Sequence, residues 1–280
     1  DLFAIVWDAK EKKLHGFNGS GRSPRSLTLE KLRQEVAALG KDEIPAHGTL
    51  PISVPGCVDG WIQLHGRFGS LSLDQVLAPA IRHAREGFPV TELISHYWKI
   101  SARVLGDQPG FRETFTTEGK TPAVGEIWKN PDLATTLGQI ATRGREGFYE
   151  GSVAEQMASF IQEHGGYITV EDLAAHRGEW IEPVSTSYRG IDVWQLPPNG
   201  QGIAVLELLN IMEGFPVKDW GFGSADLLHH FIEAKKLVFG DRARDYADMD
   251  FHDVPLKRLI SKEHGRSEEH TSELQSHLNL

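Results

Sequence analysis

The sequence predicts a mixed fold of the α/β or α+β class, mostly helical, and three observations carry that expectation. Apolar residues recur at helical spacing through several segments with capping signals, short β-branched and aromatic runs lie between them, and the stretch Tyr188 to Glu213 joins the two kinds directly. In that stretch Ile191, Val193, Trp194 and Leu196 form a run bounded by Gly190 and by Pro197-Pro198, which reads as a buried strand. The two prolines end it, since neither can donate to a ladder. Beyond Asn199-Gly200-Gln201-Gly202 the chain from Ile203 to Met212 is apolar nearly all round, which predicts a buried helix.

A glycine-containing loop feeding a helix leaves first-turn N–H groups without partners and lets another group come close. Asn199, Gly200 and Gly202 are therefore candidate near-site residues for an anion or an oxyanion. A tight strand-to-helix turn without ligand explains the same residues. Val205 stands where a dinucleotide fingerprint needs its third glycine, so no nucleotide site is expected.

The other elements follow in order. Leu2 to Trp7 and Lys13 to Phe17 can pair as a hairpin through a polar turn. The Gly-rich loop Asn18 to Arg25 then offers Arg22, with Arg25 as the alternative, whose guanidinium fork suits a carboxylate. Thr28 caps a helix with the stripe Leu29, Leu32, Val36, Leu39, closed by Gly40. A helix carrying Trp61, Leu64 and Phe68 follows Val54-Pro55-Gly56, and Ser72-x-x-Gln75 is a capping box for a helix that Pro79 should kink and Gly87 should end.

Helical patterns continue from Thr91 to Leu105 and after Asn130-Pro131, with Gly144 and Gly147 as breaks. Ser152-x-x-Glu155 opens a helix ended by Gly165-Gly166, and Ile168 to Leu173 starts a short one. Trp180 to Ser187 is the expected partner strand of Ile191 to Leu196, across Tyr188-Arg189-Gly190. A long helix spans Ser224 to Tyr246 and leads into an acidic corner at Asp245, Asp248, Asp250 and Asp253, read as helix-end hydrogen bonding. His65, His83 and His96 read as ordinary surface or core histidines.

The totals exclude several classes. A length of 280 residues with 40% apolar composition is enough for one large domain or two small ones. A formal net charge of −10 argues against a phosphate-backbone binder, so no nucleic-acid partner is expected. Cys57 is the one cysteine, so an internal disulfide is excluded, and no Cys/His spacing resembles a zinc site; neither metal nor cofactor is expected. No apolar run reaches the ~18 residues of a membrane span. The strand-like opening without Met implies that Asp1 is not the natural start. From Arg266 to about Ser276 the residues read as the translation of a common sequencing-library adapter, so 266–280 is expected to be a non-native, disordered tail. No GxSxG elbow or P-loop is present, so pattern alone names no reaction.

Several stretches together resemble one family. Val54-Pro55-Gly56 with Gly60, Leu77-Ala78-Pro79-Ala80-Ile81, Pro131-Asp132-Leu133-Ala134, Phe148-Tyr149-Glu150-Gly151 and Gly165-Gly166-x-Ile168-Thr169 are similar, in order, to the large subunit of γ-glutamyltransferases (glutathione hydrolases). Leu196-Pro197-Pro198, His230-x-Ile232-Glu233-Ala234, Asp241-Arg242-Ala243 and Asp253-Val254-Pro255 continue the series, so 1–265 is expected to be a partial large subunit.

The resemblance implies an N-terminal-nucleophile hydrolase with a layered αββα fold, of which this chain would hold the helix-rich part. It implies a γ-glutamyl substrate, a small subunit cut from the same precursor, and a threonine freed by that cut as nucleophile. That threonine is expected beyond this chain: Thr116-Thr117 and Thr135-Thr136 lie within large-subunit motifs, so no catalytic residue is assigned here and the chain alone is expected to be inactive. The family arginine that pairs with the substrate α-carboxylate corresponds to Arg22, in a shortened Arg22-Ser23-Pro24 context that suggests a divergent branch and admits cephalosporin-acylase-like specificity. A carboxylate-binding or scaffolding role without chemistry is the alternative. Family analogy implies a periplasmic or secreted location, with a cytoplasmic one open for the divergent branch.

Overall fold

The computed structural model describes residues 1–269. In chain order the elements are β1 (Leu2–Asp8), β2 (Lys13–Gly19), α1 (Leu29–Ala38), α2 (Cys57–Phe68), α3 (Leu73–Glu86), β3 (Phe88–Pro89), α4 (Glu92–Leu105), α5 (Phe111–Phe115), β4 (Ile127–Trp128), α6 (Pro131–Arg143), α7 (Glu146–Tyr149), α8 (Gly151–Glu163) and α9 (Val170–Ala175). They continue with β5 (Glu179–Ile181), β6 (Val184–Tyr188), β7 (Ile191–Gln195), α10 (Ile203–Met212), α11 (Val217–Trp220), α12 (Ala225–Asp245), α13 (Leu256–Leu259) and α14 (Lys262–Glu269). Two units form: Asp1–Leu2 with Gly19–Gly178, and Phe3–Asn18 with the chain from Glu179 onward.

The first unit is helical, around a core that includes Val58, Leu137, Ile140, Tyr149, Ile161 and Leu173. Its helices start where side chains supply the missing acceptors. Thr28 accepts from Lys31 N, Asn130 from Leu133 N, and Thr169 with Asp172 makes a reciprocal capping box. Ser72 and Gln75 form the capping box expected for α3, which Gly87 ends at φ 94°, and Pro79 lies inside that helix without interrupting it.

The second unit is built on two small sheets. One has the order β1-β2-β5, with Phe17 opposite Trp180. The other is the hairpin β6-β7, whose turn places Arg189 at φ 52° and Gly190 at φ 83°. Helix α10 packs Ile203 and Leu206 with Val254 and Leu259, and Ile211 and Met212 with Ala234 and Val238 of α12.

Five expectations need correction. Helix α8 begins at Gly151 with Glu150 as its cap, so Ser152 and Glu155 lie inside it. Gly147 does not break a helix: it lets α7 approach α6, since a Cβ there would stand 2.3 Å from the Gln139 carbonyl oxygen. The segment Trp180 to Ser187 is two strands, because Pro183 between them cannot donate; β5 joins β2 and only β6 pairs with β7. Strand β7 is not buried, with Ile191 68% and Trp194 42% exposed. In α1 only Val36 of the proposed stripe is buried, while Leu29 and Leu39 are exposed.

Helix α10 is buried as expected on most sides, but Val205 is exposed and the polar Glu207 and Asn210 are inside. The acidic corner does cap its own backbone, as Asp248 Oδ1 accepts from Asp250 N. Helix α14 takes in Arg266 to Glu269, and the rest of the tail expected from Arg266 lies outside the described residues.

Candidate functional site

Arg22 sits in an irregular segment of the first unit that is locked to the Val54–Gly56 loop. Val54 N donates to the Arg22 carbonyl at 3.0 Å. The two backbones approach so closely that only glycine fits on either side: a Cβ on Gly21 would stand 1.7 Å from the Val54 carbonyl oxygen, and one on Gly56 would stand 2.0 Å from that of Gly19. The Asp1 carboxylate accepts from Gly21 N at 2.9 Å. Arg22 and Arg25 are both exposed. Arg25 lies in a turn, its N–H donating to Asp172 Oδ1 at 3.3 Å.

Beneath this segment lies a buried polar network. The Tyr149 hydroxyl donates to the Pro55 carbonyl at 2.6 Å and accepts from Asp59 N at 3.1 Å, fixing the start of α2. Asp59, 1% exposed, receives Arg145 Nε at 3.1 Å on one oxygen, and Gly178 N and Gln63 Nε2 at 2.8 Å on the other. Arg145 Nη2 also donates to the carbonyls of Ala174 and His176. Burial pushes the Tyr149 phenol up to about 12 and lowers the pKa of His176, whose ring stacks on Tyr149. Both are neutral at physiological pH. The arrangement holds the Val54–Gly56 loop against which the Arg22 segment is locked.

The Asn199 loop belongs to the second unit. Asn199 Oδ1 accepts from Asn18 Nδ2 at 2.9 Å, which ties the loop to the end of β2. Gly202 caps α10 without a side chain, and a Cβ there would stand 2.7 Å from Gln195 Oε1. Gly200 faces open space. A cavity of about 650 Å³ is lined by this loop together with Phe3, Gln195, Arg242 and Tyr246. Its cation, Arg242, entered the sequence reading only as part of a motif on a long helix. The signal was there in the helical spacing, since Arg242 and Tyr246 are neighbours at i, i+4.

Of the doubled threonines, Thr135 and Thr136 lie within α6, Thr116 follows α5, and Thr117 bridges to Lys120. Thr135 and Thr136 donate to the carbonyls of Pro131 and Asp132, and Thr116 to that of Arg112.

A family model described as gamma-glutamyltranspeptidase matches residues 1–278. The chain belongs to the γ-glutamyltranspeptidase family. It is 39% identical over 267 residues to the glutathione hydrolase-like YwrD proenzyme of Bacillus subtilis, covering 95% of this chain and 50% of that protein. It is 36% identical over 229 residues to the glutathione hydrolase proenzyme of Escherichia coli, covering 81% of this chain and 39% of that protein. The chain thus spans half or less of the length of these curated relatives and matches their large-subunit portion.

Among solved structures, Helicobacter pylori gamma-glutamyltranspeptidase superposes with a TM-score of 0.89 at 28% identity, over 96% of this chain and 77% of that one. The cephalosporin acylase of Bacillus halodurans superposes with a TM-score of 0.87 at 43% identity, over 95% of this chain and 50% of that one. The fold is therefore that of the N-terminal-nucleophile hydrolases, seen here as its helix-rich portion with small sheets.

Membership in the γ-glutamyltranspeptidase family explains why Val54-Pro55-Gly56 and Phe148-Tyr149-Glu150-Gly151 stood out as motifs. The first supplies Gly56 and the second supplies Tyr149, the parts that meet at Pro55. Sequence reasoning missed Asp59 and Arg145, which complete that network. A carboxylate between Val58 and Gly60, on the buried face of α2, was the available signal. No described helix of this γ-glutamyltranspeptidase relative is long and apolar enough to cross a membrane.

Proposed function

We propose that the whole protein hydrolyses or transfers the γ-glutamyl group of glutathione and related amides through a threonine acyl-enzyme, and that these 280 residues supply substrate recognition without the nucleophile. The observation that carries this reading is the rigid seat of Arg22, held by Val54 and by two obligatory glycines on a loop anchored through Tyr149 and Asp59. Its guanidinium is the group for the substrate α-carboxylate, with Arg25 as the alternative. The Asn199–Gly202 loop is a near-site turn in this reading. The exposed apolar side chains Phe3, Trp7, Ile191 and Trp194 of the second unit are where the small subunit of the same precursor would pack.

The test is calorimetric titration of the chain with glutamate, alongside an assay on a γ-glutamyl anilide. Glutamate binding lost in Arg22→Ala and kept in Arg25→Ala, with no turnover by the chain alone, is the expected result. Equal binding by parent and Arg22→Ala removes the recognition claim, and turnover that depends on a residue present here overturns the claim of missing chemistry.

The 43% identity to a cephalosporin acylase favours a second reading, a cephalosporin-acylase-like amidase. Binding of a cephalosporin as tight as that of glutamate would select it.

A further inference from the structure

Three helices of the second unit bring together Glu207 of α10, Asp241 of α12 and His264 of α14. One ligand atom from each lies within 4.8 Å of the other two. Glu207 is 2% and Asp241 7% exposed, and the His264 side chain is 9% exposed. His264 Nε2 stands 2.6 Å from Asp241 Oδ2. The Tyr246 hydroxyl donates to Glu207 Oε1 at 2.5 Å, while Glu207 Oε2 is buried with no hydrogen-bond partner among the described residues. Buried carboxylate oxygens are almost always satisfied, so this one marks a place for a proton or a cation.

We propose that Glu207, Asp241 and His264 bind a divalent transition cation of the Zn²⁺ class. Two carboxylates and one imidazole are a donor set such cations accept, and their joint charge matches a dication. With metal–ligand bonds of about 2.0–2.2 Å in a tetrahedron, neighbouring donors stand roughly 3.4 Å apart, so the His264–Asp241 pair, at 2.6 Å, opens by somewhat less than about 1 Å to admit the ion. Arg244 donates to Asp241 Oδ1 and leaves Oδ2 for the ion. Arg258 approaches His264 Nδ1 at 3.4 Å and Asp245 Oδ2 at 3.2 Å. Binding displaces the Nε2 proton, so the ring carries its proton on Nδ1 and Arg258 keeps Asp245 as its partner.

The site has an entry path, because Asp241 and His264 line a pocket of about 480 Å³. An ion there would staple α14 to α10 and α12. A second cluster of ligand types, Asp8, Glu11 and His15, lacks this feature. Glu11 is exposed, and Asp8 Oδ1 already accepts two backbone N–H groups. It serves as the control.

The 280-residue chain, stripped with EDTA and dialysed, is titrated calorimetrically with zinc chloride at neutral pH, and its cobalt(II) absorption spectrum is recorded. One tight equivalent is expected, weakened at least about 100-fold in Glu207→Gln and in Asp241→Asn and unchanged in Asp8→Asn. The absence of a tight equivalent overturns the proposal, as does binding that both variants leave intact. Should a variant fail to fold, the cobalt spectrum of the parent decides: low-symmetry visible bands support the site, and the spectrum of the free aqua ion overturns it.

Discussion

Each unit of this molecule buries an ionic cluster, and the two are completed differently. Around Asp59 both carboxylate oxygens are occupied, by Arg145 on one side and by Gly178 and Gln63 on the other. Around Glu207 one oxygen is taken by Tyr246 and the other by nothing described. The first therefore exists as an ion pair whose work is finished by folding, holding the start of α2 and the loop that seats Arg22. The second resolves its deficit only by a proton or a ligand, which makes it responsive to solution conditions. Saturation separates a structural cluster from a responsive one, more than burial or charge does.

The largest effect should come from breaking the saturated cluster. Asp59→Ala takes from the largely buried Arg145 its closest carboxylate and frees two further donors, Gly178 N and Gln63 Nε2, so chemical denaturation should show a loss of about 3–5 kcal/mol. A loss under about 1 kcal/mol would mean that water replaces the carboxylate, and the distinction between the clusters would fail. Gly21→Ala should follow. Its Cβ would stand 1.7 Å from the Val54 carbonyl oxygen, a backbone atom that cannot swing away, so about 1–3 kcal/mol is expected, together with weaker glutamate binding. Unchanged stability and binding would show that the Arg22 seat needs no close approach.

How much of this was legible in the sequence follows from which interactions are local. Thr28 and Ser72 were readable as caps because a cap and the residue it bonds lie within three positions of each other. Ile191 and Trp194 were misread as buried because a β-branched and aromatic run does not say whether another layer covers it. The seat of Arg22 was half legible: glycines flagged the loop, but that Gly21 faces Val54 and Gly56 faces Gly19 is a tertiary fact. Glu207, Asp241 and His264 were invisible as a group. They come from three helices far apart in the chain, with none of the short spacing that marks a local metal motif. Glu207 was also disguised within a run that otherwise reads as apolar.

The responsive cluster predicts a pH effect of definite sign. Burial raises the Glu207 carboxyl from an ordinary 4.5 to about 8, so the folded state holds a proton that the unfolded chain has lost. Stability contributed by this group is then full below pH 4.5 and declines as pH rises toward about 8. In EDTA the parent should lose on the order of 4 kcal/mol relative to Glu207→Gln across that window. Parallel stability curves for the two chains would refute a protonated Glu207. Saturating zinc should flatten the parent's curve, since a bound ion stabilises the ionised carboxylate.

The smallest effect concerns the Asn199 loop, where the question is whether its glycines serve the fold or a visitor. Gly202 has a structural reason: a Cβ would meet Gln195 Oε1 at 2.7 Å and the Leu196 carbonyl oxygen at 3.2 Å. Gly200 has none, since nothing lies within 4 Å of its Cβ position and its φ is outside the left-handed range. Gly200→Ala should therefore change stability by no more than about 0.5 kcal/mol, on the stabilising side if the unfolded chain loses entropy. Any loss of glutamate affinity in that variant would then have to come from a ligand approaching the loop. If stability and affinity both stay put, Asn199–Gly202 is a strand-to-helix turn and the near-site reading of the loop is lost, while the Arg22 seat is untouched. A large drop in stability would point instead to a contact the fold needs at Gly200, and would place this loop with the saturated cluster as finished architecture.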